Sequence, residues 1–380
     1  MLEDIEPAKK IQAPSDFRPA VRFDGSEGEA TTEGMLSKPD FSEFLAERGY
    51  SPDEYEIVGS PRTSQWQRWD GEWLTSYRFH FRKKVTEVDL PTLFAEAKKT
   101  KKSVAKPGKG KAFIVAPADY QVGKTDVRGG TKELIERVMQ SYDRIEAQMK
   151  AGKYEKIVII DVGDIIESVS NTADMSQLQS NDLSPMQQVD VAASLMWDLI
   201  KRAAKYAPVV YGSVASNHCQ WRHNKQGVGR PGQDDWGIVI LQQLRRLATE
   251  VGLNVEFLVP HPDDEGFAFD VFDDGIHVLG CIHGHQARRP DQVPTHWRQA
   301  TFGSQFLAAA TLLLTGHFHH TRVQELGQAP NGGSRWWVQA STMDSGSSWF
   351  RRMSGEDSMP AITCMELERG VYYQGEIKRF

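Results

Sequence analysis

The chain has 380 residues, of which 39% are hydrophobic and 25% charged, and its formal net charge is −6. This length is typical of about two domains, and the composition is that of a globular protein with ample material for a core. The acidic balance excludes a polycation that coats nucleic acid indiscriminately. The most apolar stretch, Phe306–Leu314, is far shorter than the roughly 20 residues of a membrane-spanning helix.

Histidine is unevenly distributed along the chain. Ten of the 11 histidines lie between His218 and His320. Because imidazole is both a common metal ligand and the side chain that titrates nearest to neutral pH, this clustering indicates metal or proton chemistry. The three cysteines are far apart and offer neither a disulfide framework nor a CxxC zinc site.

The N-terminal part predicts a leader followed by a small accessory unit. Residues 1–40 show no period of 2 or 3.6, and we expect a mostly disordered leader there. Residues 41–97 combine a short helix, FSEFLAERGY, with two aromatic-rich runs around Asp70-Gly71, which is a strong hairpin signal. We therefore predict a small α+β unit over residues 41–97.

Two features of this region have alternative interpretations. Residues 98–111 contain seven lysines and predict an extended linker, with contact to a phosphate backbone as the alternative. Trp66, Trp69 and Trp73 have alternating strand spacing, which favours the core of the small unit over the stacking of nucleic-acid bases.

From residue 112 onward, apolar strand-like runs alternate with amphipathic helical runs. The strand runs include AFIVA, KIVIID and VVYGS, and the helical runs include TKELIERVMQSYDRIEAQMKAG and a helix that starts at Ser184-Pro185. A further helix is expected from about Pro294 to Ala309. This order, with strands at the end, predicts an α/β sandwich over residues 112–380.

Five polar motifs each follow an apolar run. In chain order they are Asp119-Tyr120-Gln121, Gly163-Asp164, Asn217-His218, His283-Gly284-His285 and Gly316-His317-Phe318-His319. Because an open α/β sheet presents the carboxyl ends of its strands in one crevice, we expect the motifs to converge. Mixed carboxylate, amide and imidazole ligands suit Mn²⁺, Zn²⁺ or Fe²⁺. One such motif arises by chance, but five in order predict a metal site.

The series DxQ, GD, NH, HGH and GHFH resembles the calcineurin-like metallophosphoesterase family, whose pattern is DxH, GDxxD, GNHD/E, H and GHxH. The resemblance covers about residues 112–345. Within that family, the sequence most resembles phage-encoded members and the SbcD-like nuclease branch. It implies a metallophosphoesterase-type α/β sandwich, in which two packed mixed sheets are flanked by helices.

The resemblance also implies two divalent ions that share one carboxylate. Asp119, Gln121, Asp164 and His319 would hold the first ion, and Asp164, Asn217, His283 and His317 would hold the second. Mn²⁺ is the expected ion, with Mg²⁺, Fe²⁺ and Zn²⁺ as alternatives. His218 would be the catalytic histidine that is not a ligand, beside Asp164 and Asn217. His285, Arg222 and Lys124 would be weaker substrate contacts, and surface solvation is an equal alternative for the last two.

Two positions depart from the family pattern. Gln121 stands where the family has histidine, which should favour Mn²⁺ or Mg²⁺ and lower the affinity for the first ion. Ser216 and Cys219 replace the glycine and the acid of GNHD/E. Another carboxylate would then have to orient His218, and Asp234 or Asp235 is a candidate with no further support.

The function implied is metal-dependent phosphoester hydrolysis by in-line attack of a hydroxide that bridges the ions, with His218 protonating the leaving oxygen. A DNA exo- or endonuclease is favoured. The alternatives are a phosphatase or phosphodiesterase acting on nucleotides, small molecules or phosphoproteins, and a non-catalytic scaffold. DNA is thus the expected partner, and no membrane association is expected. The N-terminal unit is a candidate contact surface for a second copy of the chain or for a partner protein. We expect a cytoplasmic protein, in the host cytoplasm if it is phage-encoded.

Overall fold

The structure is a computed structural model that describes residues 19–23, 27–53, 55–67, 71–83, 107–168, 181–223, 226–348 and 358–380. The chain divides into two compact units, Met1–Thr86 and Glu87–Phe380. Most of the predicted lysine-rich linker, and residues 1–18 of the predicted leader, lie outside the described residues.

The first unit is an antiparallel sheet with one helix. Its elements are β1 (Ala20–Phe23), β2 (Glu27–Thr32), α1 (Lys38–Ala46), β3 (Tyr55–Gln67) and β4 (Trp73–Lys83), and the strand order is β1-β2-β4-β3. α1 begins at Ser37, whose hydroxyl accepts the backbone N–H of Asp40. The hairpin predicted from the two aromatic runs is confirmed, because β3 and β4 pair antiparallel. Phe41, Phe79 and Phe81 form the centre of its core.

Two expectations for this unit are wrong. Part of the predicted disordered leader is ordered, because β1 and β2 pair with each other and β2 pairs with β4. The buried positions of β2 are Gly28, Ala30 and Thr32, which alternate with period 2 but are too small and weakly apolar to reveal the strand. Trp73 was expected in the core, but it is 66% exposed.

The described residues of the second unit form two mixed sheets, a two-stranded sheet and four α-helices. In chain order the elements are β5 (Lys111–Ala116), α2 (Thr131–Gly152), β6 (Lys156–Asp161), α3 (Pro185–Ala204), β7 (Val209–Ser213), β8 (Arg222–His223), β9 (Gln226–Gly227), α4 (Trp236–Val251), β10 (Val255–Leu258), β11 (Phe267–Asp270), β12 (Val278–Cys281), α5 (Val293–Phe302), β13 (Leu312–Thr315), β14 (Arg322–Gln328), β15 (Ser334–Gln339), β16 (Thr363–Glu368) and β17 (Lys378–Arg379). The larger sheet has the order β10-β7-β6-β5-β16-β17, and the smaller one has the order β11-β12-β13-β15-β14.

The two sheets of the second unit share one apolar core. Ile114 and Val158 of the larger sheet belong to the same buried cluster as Leu314 and Val338 of the smaller sheet. On β13 the side chains alternate between faces, so that Leu313 joins a second cluster with Trp297 of α5. The predicted α/β class is therefore confirmed, and the packing is compatible with an α/β sandwich.

The predicted helices of the second unit are present, with one shorter than expected. α2 spans the predicted segment, and α3 begins with the Ser184 cap followed by Pro185. The helix expected from about Pro294 to Ala309 instead ends at Phe302, where Gly303 forms the C-cap. Ser304 then adopts a left-handed backbone, and a short 3₁₀ turn spans Phe306–Ala309. This break ends α5 before the last turn that the sequence suggested.

Candidate metal centre

The five polar motifs lie in loops that directly follow buried strands of both sheets. Backbone hydrogen bonds join neighbouring loops of the same sheet to one another. Asp119 N–H donates to Gly163 O at 3.0 Å, Gln121 N–H donates to Asp164 O at 2.9 Å, and Gly316 N–H donates to His283 O at 2.8 Å. The motifs of the two sheets are joined by the Asp119 carboxylate, which accepts the backbone N–H of His317 at 3.2 and 3.0 Å.

The backbone at these loop residues is unusual for side chains other than glycine. Five of the candidate ligands have a positive φ in the left-handed region: Asp119 (50°), Gln121 (46°), Asp164 (51°), His317 (69°) and His319 (62°). Left-handed backbone costs an L-residue about 1–2 kcal/mol, and such strain is commonly found at functional sites. Gly163 has a different reason for its identity, since a Cβ there would lie 2.7 Å from His283 Nδ1.

Among the described residues, Asp164, His283 and His317 form a group suited to a metal ion, with their ligand atoms within 4.8 Å of one another. His283 Nδ1 lies 2.8 Å from Val162 O, so this nitrogen carries the proton and Nε2 is left as the coordinating atom. His283 Nε2 lies 3.0 Å from Asp164 Oδ2 but makes no hydrogen bond of acceptable alignment. We call Asp164, His283 and His317 the histidine–aspartate group.

Electrostatics keep Asp164 and His317 in forms that bind cations and keep His283 protonated. Burial opposes ionisation of Asp164, but the positive charges of His283 and His218 outweigh it and hold its pKa well below the usual range. Burial and the charge of His283 lower the pKa of His317 to about 2, so this imidazole is neutral at physiological pH. Burial also opposes protonation of His283, but Asp164 outweighs it and raises the His283 pKa to about 9. A divalent ion would therefore have to displace a proton from His283.

Asn217 and His218 follow β7, and His218 lies beside the group. The Asn217 Oδ1 atom is buried and has no hydrogen-bond partner among the described residues. His218 N–H donates to Asp164 Oδ1 at 2.9 Å, and the His218 Nε2 atom lies 3.7 Å from Asp164 Oδ2. His218 therefore contacts Asp164, whereas the role of Asn217 as a ligand stays a prediction.

Glu167, rather than Asp234 or Asp235, is the acid beside His218. The Glu167 carboxylate lies 3.4 Å from His218 Nδ1, and its backbone carbonyl lies 3.1 Å from the same nitrogen. Asp234 instead accepts the backbone N–H of Arg230. Asp235 caps α4, where it accepts the backbone N–H of Gly237. Glu167 comes three residues after Asp164, at the place of the last acid in the GDxxD pattern, so the sequence did carry a signal for it.

Asp235 supports the histidine–aspartate group through Ser216. The Asp235 carboxylate accepts the backbone N–H of Ser216 at 2.9 Å, and the Ser216 hydroxyl accepts the backbone N–H of Asp164 at 2.9 Å. Since Ser216 replaces the glycine of the family pattern, the hydroxyl adds a hydrogen bond that a glycine could not make. This chain of contacts holds the Asp164 backbone in its left-handed conformation.

Gln121 is not free to act as the predicted ligand of a first ion. Its Oε1 atom accepts a hydrogen bond from Lys124 Nζ at 2.7 Å, and its Nε2 atom lies 3.2 Å from His218 Nε2. Lys124 also forms a 2.6 Å ion pair with Asp344, and its side chain is only 15% exposed. Solvation at the surface, the alternative interpretation for Lys124, is therefore wrong.

Asp119 and His319 complete the side of the site next to Lys124. His319 Nε2 lies 3.3 Å from Asp119 Oδ1, and His319 Nδ1 lies 3.5 Å from Asp344 Oδ2. Both oxygens of Asp119 accept the backbone N–H of His317, at 3.2 and 3.0 Å. Asp344 was missed in the sequence, although it follows β15 and thus obeys the same rule as the other motifs.

The two remaining candidates, His285 and Arg222, have fewer contacts with the site. The His285 ring centroid lies 5.6 Å from that of His283, and its Nε2 atom lies 3.6 Å from Glu265 Oε1. The histidine–aspartate group therefore includes His283 and leaves His285 as a neighbour. Arg222 lies on the short strand β8 instead of following a sheet strand, and it makes no ion pair with any residue that the structure describes.

The chain matches no protein-family model and no curated protein. Within the described part of the chain, every helix is too short or too polar to cross a lipid bilayer. The inference of function therefore rests on the motifs and on the geometry of this site.

Proposed function

We propose that the chain is a metal-dependent phosphoesterase that hydrolyses phosphodiester bonds, with DNA as its substrate. The observation that carries this proposal is a metal-ligand group beside a histidine that does not belong to it. Asp164, His283 and His317 provide one carboxylate and two imidazoles, which is a donor set suited to Mn²⁺, Fe²⁺ or Zn²⁺. His218 contacts this group through its backbone N–H.

Two buried atoms support the presence of an ion in this half of the site. His283 Nε2 and Asn217 Oδ1 are both buried without a hydrogen-bond partner among the described residues. Because buried polar atoms almost always have a well-aligned partner, the lack of one at these two atoms favours coordination of a cation, although Asp164 Oδ2 lies 3.0 Å from His283 Nε2. A divalent ion held by the histidine–aspartate group and Asn217 would stabilise the negative charge that develops on a phosphoryl group.

His218 is positioned for proton transfer. Its Nδ1 atom is directed at the Glu167 carbonyl oxygen, which leaves Nε2 as the nitrogen that faces Asp164. We infer that His218 acts as an imidazolium, which keeps Nδ1–H on the Glu167 carbonyl and delivers the Nε2 proton to the leaving oxygen, a step that contributes about 10²–10⁴-fold in general acid catalysis. Glu167 acts through His218 and is therefore a positioning residue.

DNA is proposed as the substrate because of the charge distribution in the sequence. The run Lys98–Lys111 carries seven lysines in a chain of net charge −6. Lysines that neutralise a phosphate backbone contribute affinity that falls steeply with salt concentration. We therefore expect binding to linear DNA to weaken with added salt, and to do so less steeply when these lysines are neutralised.

The test uses the full chain with Mn²⁺ and three substrates: linear DNA, bis-p-nitrophenyl phosphate and p-nitrophenyl phosphate. We expect hydrolysis of the first two, with loss of activity in Asp164→Ala and in His218→Ala. His261→Ala is the matched control, because that side chain is exposed and outside the group. Asp164→Ala should also lose bound metal, whereas His218→Ala should keep it.

Three outcomes would contradict the proposal. Cleavage of the monoester alone would replace the nuclease by a phosphatase. Equal loss of activity in His261→Ala would mean that the effect is not specific to the site. No hydrolysis of any substrate, together with no bound metal by elemental analysis, would favour a non-catalytic scaffold.

A further inference from the structure

The two halves of the site differ in the partners that their polar atoms already have. In the half formed by the histidine–aspartate group, His283 Nε2 faces the Asp164 carboxylate at 3.0 Å, and Asn217 Oδ1 is buried without a hydrogen-bond partner within the described chain. In the other half, the oxygens of Gln121 and Asp344 already have a cationic partner, Lys124. The half that contains Asp119 and His319 therefore differs in that an ammonium already occupies the oxygen of its amide donor, Gln121.

Lys124 is held in place by its surroundings. Its backbone N–H donates to Gln121 O at 3.0 Å, which closes a tight turn after the first motif. Its Nζ atom lies 2.7 Å from Gln121 Oε1 and 2.6 Å from Asp344 Oδ2. Since the side chain of Asp344 is only 1% exposed, leaving its charge unpaired would be costly, and the ion pair is favoured.

Asp344 is surrounded by positive groups on several sides. Arg128 Nη1 lies 3.8 Å from Asp344 Oδ1, and His319 Nδ1 lies 3.5 Å from Asp344 Oδ2. Arg137 donates to the backbone carbonyls of Met343 and Asp344 at 3.2 Å each. This arrangement fixes Asp344, and through it the ammonium of Lys124, next to Gln121.

A divalent ion on Gln121 Oε1 would lie close to this ammonium. With an ion–oxygen distance of about 2.1 Å, the ion would stand only about 4–5 Å from Lys124 Nζ. At that separation a double and a single positive charge repel strongly in a partly buried site. The side of the site that holds Gln121 therefore does not fit a second ion.

We propose that this centre takes one divalent ion, held by Asp164, His283 and His317, and that the ammonium of Lys124 occupies the place of a second ion. Lysine binds phosphate as a point charge. Lys124 would therefore contact a phosphoryl oxygen of the substrate on the side opposite the single ion. The proposed contact between Lys124 and a phosphoryl oxygen rests on the proposed function. The inference that the centre holds one ion does not depend on it.

The experiment measures bound Mn²⁺ per chain after chelation, reloading and removal of free metal, by elemental analysis and calorimetry. Wild type is expected to bind one ion and to give the electron paramagnetic resonance spectrum of an isolated ion. Lys124→Met combined with Gln121→His removes the ammonium and supplies an imidazole, and it should bind two ions with the spectrum of a coupled pair. Lys124→Arg keeps a cation and should still bind one ion.

Lys132→Met is the matched control, since Lys132 is an exposed residue of α2, and it should bind one ion. Thermal unfolding of each variant establishes that it is folded. Two ions in wild type would overturn the proposal, and so would a single ion in the folded Lys124→Met, Gln121→His variant. No ion in wild type would refute both this inference and the metal basis of the proposed function. One ion without hydrolysis of any of the three substrates would refute the proposed function alone.

Discussion

Replacing His319 by glycine and by alanine separates backbone strain from side-chain contacts. His319 has a φ of 62°, and its side chain, 22% exposed, lies near Asp119 and Asp344. Both variants lose these contacts equally, so that the difference between them reports on the backbone. Alanine pays about 1 kcal/mol for a left-handed backbone that glycine adopts freely. We therefore expect His319→Gly to be more stable than His319→Ala by about 1 kcal/mol.

The control reverses the sign of this difference. Ala147 is an exposed residue in the interior of α2, where glycine should be less stable than alanine by about 1 kcal/mol. Urea unfolding, with a chelator present, can be followed by the fluorescence of buried tryptophans such as Trp297 and Trp337. A destabilisation of His319→Gly relative to His319→Ala, as large as that of Ala147→Gly, would refute the left-handed backbone at this site.

Three further predictions concern the core, the pH dependence and the histidine. Leu314→Ala, in the core shared by the sheets, should cost about 2–5 kcal/mol of unfolding free energy in urea, and a cost below about 1 would contradict that packing. Burial raises the pKa of Asp235 from 3.8 to about 8 despite hydrogen bonds from the backbone, so the folded state takes up a proton. The contribution of Asp235 to the unfolding free energy should therefore fall as pH rises from about 4 to 8, by at most ~1.4 kcal/mol per pH unit. Wild type should lose stability relative to Asp235→Asn over this range, and a constant difference between the two would argue against this source. Glu167→Gln should lower kcat about 10–100-fold while bound metal stays constant, and loss of metal would instead make Glu167 part of the ligand set.

The motifs and most helices could be predicted because they depend on local chemistry. The period of apolar residues in α2 and the Ser184-Pro185 start of α3 are local signals, and both helices formed as expected. The placement of polar residues after buried strands predicted the convergence of Asp164, His283 and His317. These features need no knowledge of distant neighbours, because helix capping and strand burial are encoded within a few residues.

What the sequence could not show depends on contacts between distant segments. The state of Gln121 is decided by Lys124 and by Asp344, which lies 220 residues beyond Lys124. The strand β2 has only small residues on its buried face, and its partner β4 supplies the hydrogen bonds that order it. The histidine cluster thus indicated the region of the chain that supplies two members of the histidine–aspartate group, His283 and His317. The tertiary structure decided which histidines of the cluster contact Asp164 and which polar atoms remain without a partner. Burial and pairing arise only when distant segments pack.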